Sequence, residues 1–211
     1  MRLKKELCQN WKVYVIADRQ AAGNRSLQDL VKSAIFGGAN VIQLRDKNSS
    51  DREMVKDAIN LLKITRASQV PLIINDRIDV AAEVQAEGVH LGQEDGNYIF
   101  ARKALGRNAI IGRSTHSPEQ ALKAQNDGFD YIGVGPVFTT PTKPSYTAVG
   151  LDLVRFATSN IQIPFVAIGG IDEKNALEIK SAGARTVAVV RAVMSANDPK
   201  LATENLCKIM L

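Results

Sequence analysis

Short apolar runs alternate with amphipathic stretches from one end of the chain to the other. Eight runs are rich in valine and isoleucine: Val13–Ala17, Val41–Leu44, Pro71–Ile74, Gly88–Leu91, Ala109–Gly112, Tyr131–Val134, Phe165–Ile168 and Thr186–Val190. None shows the polar alternation of a half-solvated strand. That pattern predicts parallel strands buried on both faces.

The stretches between them have helical period. Leu27, Leu30, Val31, Ala34 and Ile35 share a face behind Ser26 as cap. Met54, Val55, Ala58, Ile59 and Leu62 do the same behind Ser50, with Glu53 completing a capping box. Ser117-Pro118 starts another helix with proline at its first position, Asp172 is expected to cap the next, and 97–105 carries a weaker helical pattern. Gly38, Gly88, Gly128 and Gly183 stand where helices give way to strands, and a left-handed turn is expected at each. Serial βα units build either a closed barrel or an open doubly wound sheet. Eight of them in 211 residues favour a single (β/α)8 TIM barrel spanning 1–211, an α/β fold with no linker.

Composition narrows the partners. The net charge of +5 has no basic run behind it, and aromatic residues make up only 5%, too few for stacked bases. No nucleic acid is therefore expected, and the basic surplus suits a pocket for phosphorylated small molecules. No apolar stretch approaches the ~20 residues of a membrane span, and the N-terminus lacks a secretory signal, so a cytoplasmic location is expected. Cys8 and Cys207 are not expected to pair in such a setting. A homo-oligomer stays open.

In a barrel, chemistry gathers at the strand C-termini. Gln43, Leu44, Arg45, Asp46 and Lys47 leave the second strand, and the guanidinium and ammonium suit a diphosphate, although solvated loop cations are the alternative. Asn75-Asp76 follows the third strand and Gln93-Glu94-Asp95 the fourth, so neighbouring strands each deliver a carboxylate of the kind Mg²⁺ accepts. Helix capping by Asp76 and loop capping by Asp95 are the plainer alternatives. Ser114 follows the fifth strand and offers a hydroxyl to phosphate; His116 reads as an acid/base or as structural; His90, inside a strand, reads as packed. Thr140, Pro141, Thr142 and Lys143 lie in a long loop that reads as an anion clamp and lid. Gly169-Gly170 before a helix, and Val190-Arg191 at the end of the eighth strand, form a second anion site.

Taken in order, QLRDK (43–47), IINDR (73–77), GVHLGQED (88–95), RSTHS (113–117), YIGVGPVFTTPTK (131–143) and VAIGGI (166–171) resemble the thiamine phosphate synthase family over about Val13 to Val193. The resemblance implies a transferase that joins a pyrimidine diphosphate to a thiazole phosphate and releases pyrophosphate. It implies Arg45, Lys47, Ser114 and Lys143 as catalytic groups. Gln43, Leu44, Arg45, Asp46, Lys47, Asn75, Ser114 and Lys143 would bind the pyrimidine diphosphate. Thr140, Pro141, Thr142, Gly170, Val190 and Arg191 would bind the thiazole phosphate, and Asp76 and Asp95 one Mg²⁺ per subunit. One departure is Arg191, where many members carry serine. The alternatives weighed are a thiazole tautomerase that uses His116, and a non-catalytic barrel that senses phosphorylated metabolites.

Overall fold

The computed structural model describes residues 8–140 and 147–211. Its eight strands are β1 (Val13–Asp18), β2 (Val41–Arg45), β3 (Leu72–Asn75), β4 (Gly88–Leu91), β5 (Ile110–Thr115), β6 (Tyr131–Val134), β7 (Phe165–Ile168) and β8 (Val187–Val189). All pair in parallel with their sequence neighbours, and β1 pairs with β8 to close the barrel. The predicted (β/α)8 barrel is the fold.

Burial on both strand faces explains the missing alternation. Trp11, Tyr14, Ile16, Val41, Ile73, Ile110, Tyr131, Val166 and Ala188 pack inside the barrel. Ile42, Leu44, Leu72, Ile74 and Ile132 pack outward, with the helices. Trp11 plugs the lumen, its ring edge-on to Tyr14 at 5.7 Å and to Tyr131 at 5.3 Å between centroids. Aromatic pairs favour this geometry, and truncating such a buried ring costs about 3–5 kcal/mol.

Several strands run further toward their C-termini than expected. Asp18, Arg45, Asn75, Ser114 and Thr115 belong to strands and not to the loops after them. Polar residues end an apolar run in the sequence, but a barrel strand continues while its rim residues line a site. At the eighth strand the opposite occurs. Val190 turns out of the ladder at φ −110° and ψ −86° and starts a one-turn helix, Arg191–Met194.

The helical caps largely hold. Ser26, Ser50 with Glu53, and Ser117 each accept from an amide of the first turn, and Asn97, not foreseen as a cap, does so too. Two expectations are corrected. Asp172 does not cap the helix Ala176–Ser181, whose N-cap is Asn175; its side chain accepts from Lys174 N at 2.8 Å and closes a turn ahead of that helix. Gly88 is not left-handed, because the reversal falls on Gln85 at φ +54°, three residues earlier. Glycine is needed at 88 for another reason: a Cβ there would sit 2.1 Å from the carbonyl oxygen of Ile110. Gly38, Gly128 and Gly183 do carry positive φ. Cys8 and Cys207 are not joined in a disulfide. Among the described residues no helix is long and apolar enough to cross a membrane.

Candidate active site

A cleft of about 400 Å³ opens at the C-terminal mouth of the barrel. Gln43, Arg45, Asn75 and Ser114 line one side, and Thr140, Gly170, Val190 and Arg191 the other. The alternation of strand side chains decides who reaches it. Along β2, Gln43 and Arg45 face the cleft, while Leu44 is fully buried in the outer layer. Any contact Leu44 makes with a ligand is therefore through its backbone.

Arg45 and Lys47 are each held by an anion. The Arg45 guanidinium forms an ion pair with Asp18, both of them largely buried. The pair aims Arg45 from the last residue of β1, a partner the sequence reading did not identify. Asp46 does not line the cleft; its carboxylate accepts from Asn48 N at 3.0 Å and Ser49 N at 3.2 Å and shapes the turn that carries Lys47. Arg77 ties down the same turn through the carbonyls of Asp46 at 3.1 Å and Ser49 at 2.7 Å. Lys47 forms an ion pair with Asp76 at the exposed edge.

Asp76 is not a helix cap. The following helix, Ile78–Glu83, has Arg77 as its N-cap residue and no side-chain cap bond. Asp76 instead adopts φ +63°, fixed by a hydrogen bond from its amide to the carbonyl of His90 at 2.8 Å. A non-glycine residue held there costs on the order of 1–3 kcal/mol, a strain that collects at functional sites. Its carboxylate accepts from Asn75 Nδ2 at 2.6 Å. Asp95 approaches from the loop after β4, where its Oδ2 also accepts from Gly92 N at 2.8 Å. This is the expected loop cap, and it directs the group toward Asp76. Burial, a hydrogen bond with Asp76 and the Asp76 charge together raise the Asp95 carboxyl above its ordinary range.

The two carboxylates line a smaller hollow of about 260 Å³, separate from the main cleft. Asn75 stands between the two: it lines the cleft and bonds Asp76. Among the described residues no group of three histidine, cysteine, aspartate or glutamate side chains comes together. Two converging carboxylates still fit Mg²⁺, which usually takes one or two from protein and completes its shell with phosphate oxygens and water. A divalent cation between the two carboxylates would offset the repulsion that helps raise the Asp95 carboxyl.

The floor of the cleft holds what the sequence reading missed. Tyr14, Tyr131 and His90 join Gln43 to Ser114 in one hydrogen-bonded row. Gln43 Nε2 donates to Tyr14 Oη at 2.7 Å, and Tyr14 Oη bonds Tyr131 Oη at 2.9 Å. His90 Nδ1 bonds Tyr131 Oη at 2.9 Å, and Nε2 bonds Ser114 Oγ at 2.9 Å. His90 is thus a cleft residue rather than merely packed filling. Burial pushes both phenols well above their ordinary pKa, so they stay protonated. His116 also lines the cleft, and its Nδ1 donates to the carbonyl of Gly135.

At the far side, Gly169 and Gly170 have φ +107° and +63°. A Cβ at Gly169 would meet Pro136 Cα at 2.4 Å, and one at Gly170 the carbonyl oxygen of Thr139 at 2.6 Å. Glycine is thus required for the β7 loop to lie against the β6 loop. These glycines do not lead directly into a helix, since the next begins at Ala176. The one-turn helix at Arg191 lies at the same wall, and Val190 provides no side-chain cap for it. Thr140 lines the same wall, while Pro141, Thr142 and Lys143 lie outside the described residues.

The comparisons with known proteins show the family. The profile of the thiamine monophosphate synthase family matches residues 13–193. A thiamine-phosphate synthase of Chloroflexus aurantiacus is 46% identical over 198 residues, 93% of this chain and 91% of that one. A thiamine-phosphate synthase of Ruminiclostridium cellulolyticum is 42% identical over 202 residues, 96% of each chain. The solved thiamine phosphate pyrophosphorylase of Pyrococcus furiosus superposes with a TM-score of 0.88 at 40% identity, covering 97% of both chains. With the match extending over most of its length, the chain belongs to the thiamine monophosphate synthase family.

Proposed function

We propose that the chain is a transferase that moves the 4-amino-2-methylpyrimidin-5-ylmethyl group from its diphosphate to the nitrogen of thiazole phosphate, giving thiamine phosphate and pyrophosphate. The observation that carries this reading is the junction at Asn75: a cleft residue bonded to Asp76, which meets Asp95 on one side and Lys47 on the other. Such a rim suits a diphosphate with its counter-ion.

In this reading Gln43 and Ser114 hold the pyrimidine diphosphate across the cleft floor. Arg45, Lys47 and Asn75 receive its phosphates, with Lys143 as a further cation, Leu44 contributing backbone and Asp46 shaping the loop. Asp76 and Asp95 would hold one Mg²⁺, which would supply positive charge to offset that of the departing pyrophosphate. Thr140, Pro141, Thr142, Gly170, Val190 and Arg191 hold the thiazole phosphate and aim its nitrogen at the pyrimidine methylene. The substitution is dissociative. The C–O bond to pyrophosphate breaks first with its electron pair on oxygen, the aminopyrimidine spreads the resulting positive charge, and the thiazole nitrogen lone pair closes the new C–N bond. The transfer itself does not call for a general base.

A pyrophosphate-release assay tests the reading. Release is expected only with both substrates and Mg²⁺ together. Isomerisation of the thiazole alone, without release of pyrophosphate, would point to the tautomerase, and binding without turnover to a sensor.

A further inference from the structure

The row Gln43–Tyr14–Tyr131–His90–Ser114 crosses the floor of the cleft and ends at two residues assigned to the substrate. Its hydrogens can be placed one by one. Gln43 Nε2 carries only hydrogens, so Tyr14 Oη accepts from it. Tyr14 is fully buried, and its own hydrogen must go to Tyr131 Oη, 2.9 Å away. Tyr131, also fully buried, then sends its single hydrogen to His90 Nδ1. A neutral ring that accepts at Nδ1 carries its hydrogen on Nε2 and donates to Ser114 Oγ at 2.9 Å. Ser114 Oγ has then accepted, and its own hydrogen is left for the cleft it lines. Reversing the row with Gln43 as oriented would set the Tyr14 hydrogen against the Gln43 amide hydrogens and strand a buried donor.

We propose that Tyr14, Tyr131 and His90 are positioning residues that set His90 as the Nε2–H tautomer and present the Ser114 hydroxyl as a donor, so that the cleft selects a ligand with an acceptor atom at Ser114. The inference deepens the synthase reading and rests on it for the identity of that ligand, where the acceptor is a ring nitrogen or diphosphate oxygen of the pyrimidine substrate. The geometry of the row stands without the substrate.

The chain has only two histidines, His90 and His116, so an imidazole-¹⁵N-labelled protein gives two ring systems, assigned with His116→Gln. In the substrate-free protein His90 should show a protonated Nε2 and an accepting Nδ1. Tyr131→Phe keeps the ring and removes only the donor, and should turn His90 into a mixture of tautomers. The same variant should raise KM for the pyrimidine diphosphate on the order of tenfold, as one oriented hydrogen bond implies, and leave KM for thiazole phosphate unchanged. Tyr14→Phe should also mix the tautomers. A His90 protonated at Nδ1 in the unsubstituted protein overturns the proposal, whether or not the variants fold. So does an unchanged spectrum in a folded Tyr131→Phe. An inactive protein with the expected spectrum would count against the synthase reading alone.

Discussion

The side-chain amide of Asn75 donates to Oδ2 of Asp76 at 2.6 Å, so a residue that lines the main cleft holds one half of the acidic pair beside it. Asp76 carries a positive φ and Asp95 a raised carboxyl, so each half of the pair is held at a cost.

The acidic pair should be visible in stability before any activity is measured. With its carboxyl raised in the folded state, Asp95 should keep a proton that the unfolded chain has already lost over the pH range just above that of an ordinary aspartate. Metal-free stability should therefore fall as pH rises through that window and remain lowered above it. Asp95→Asn should melt higher than the unsubstituted protein at neutral pH in EDTA, and should lose the gain that Mg²⁺ gives. Thermal melts across pH, with and without Mg²⁺, check both.

Turnover should depend steeply on the same residue. Asp95→Ala should lower kcat by about 100-fold or more, the scale on which removing one preorganised charge-stabilising group acts. Its Mg²⁺ requirement should rise as well. Near-normal rates would remove Asp95 from the metal site.

Arg113 reaches behind the Asp95 loop, donating to the carbonyls of Gly96 at 2.7 Å and Gln93 at 2.9 Å while its guanidinium lies over Phe129. Arg113→Gln should release that loop. The Mg²⁺ concentration for half-maximal rate should rise about tenfold, the usual cost of a lost outer partner. Saturating Mg²⁺ should restore most of kcat.

Asp18→Asn should act through Arg45. The carboxylate is 4% exposed and the guanidinium 12%, so the variant leaves a buried charge without its partner. Denaturant unfolding should show a loss of about 3–5 kcal/mol. KM for the pyrimidine diphosphate should rise in the same protein.

Arg191 lines the far wall beside Gly170. Arg191→Ala should raise KM for thiazole phosphate about tenfold, as removing one charge-assisted contact implies, and leave KM for the pyrimidine diphosphate within about twofold. Equal values for both substrates would assign Arg191 a structural role.

The barrel was legible because eight buried strands and their caps are local signals, each written in a few adjacent residues. Much of the rim stood close to the same signals: Arg45, Asn75, Asp76 and Ser114 lie within two residues of an apolar run, and Asp95 in the short loop after one. The floor was not. Tyr14 and Tyr131 look like ordinary strand aromatics, and only closure of the barrel brings residues 117 positions apart within hydrogen-bond distance. Asp18 was missed because it closes an apolar strand and reads as the start of a loop. Asp172 misled because a turn separates it from the helix it was expected to cap.

The most direct test of the account is Mn²⁺ binding, followed by electron paramagnetic resonance with pyrophosphate present, in the unsubstituted protein and in the double variant Asp76→Asn, Asp95→Asn. The account predicts one bound ion per chain that pyrophosphate tightens, and its loss in the double variant. Equal binding by both proteins would contradict it, because the diphosphate would then be held without the acidic pair on which the reading depends.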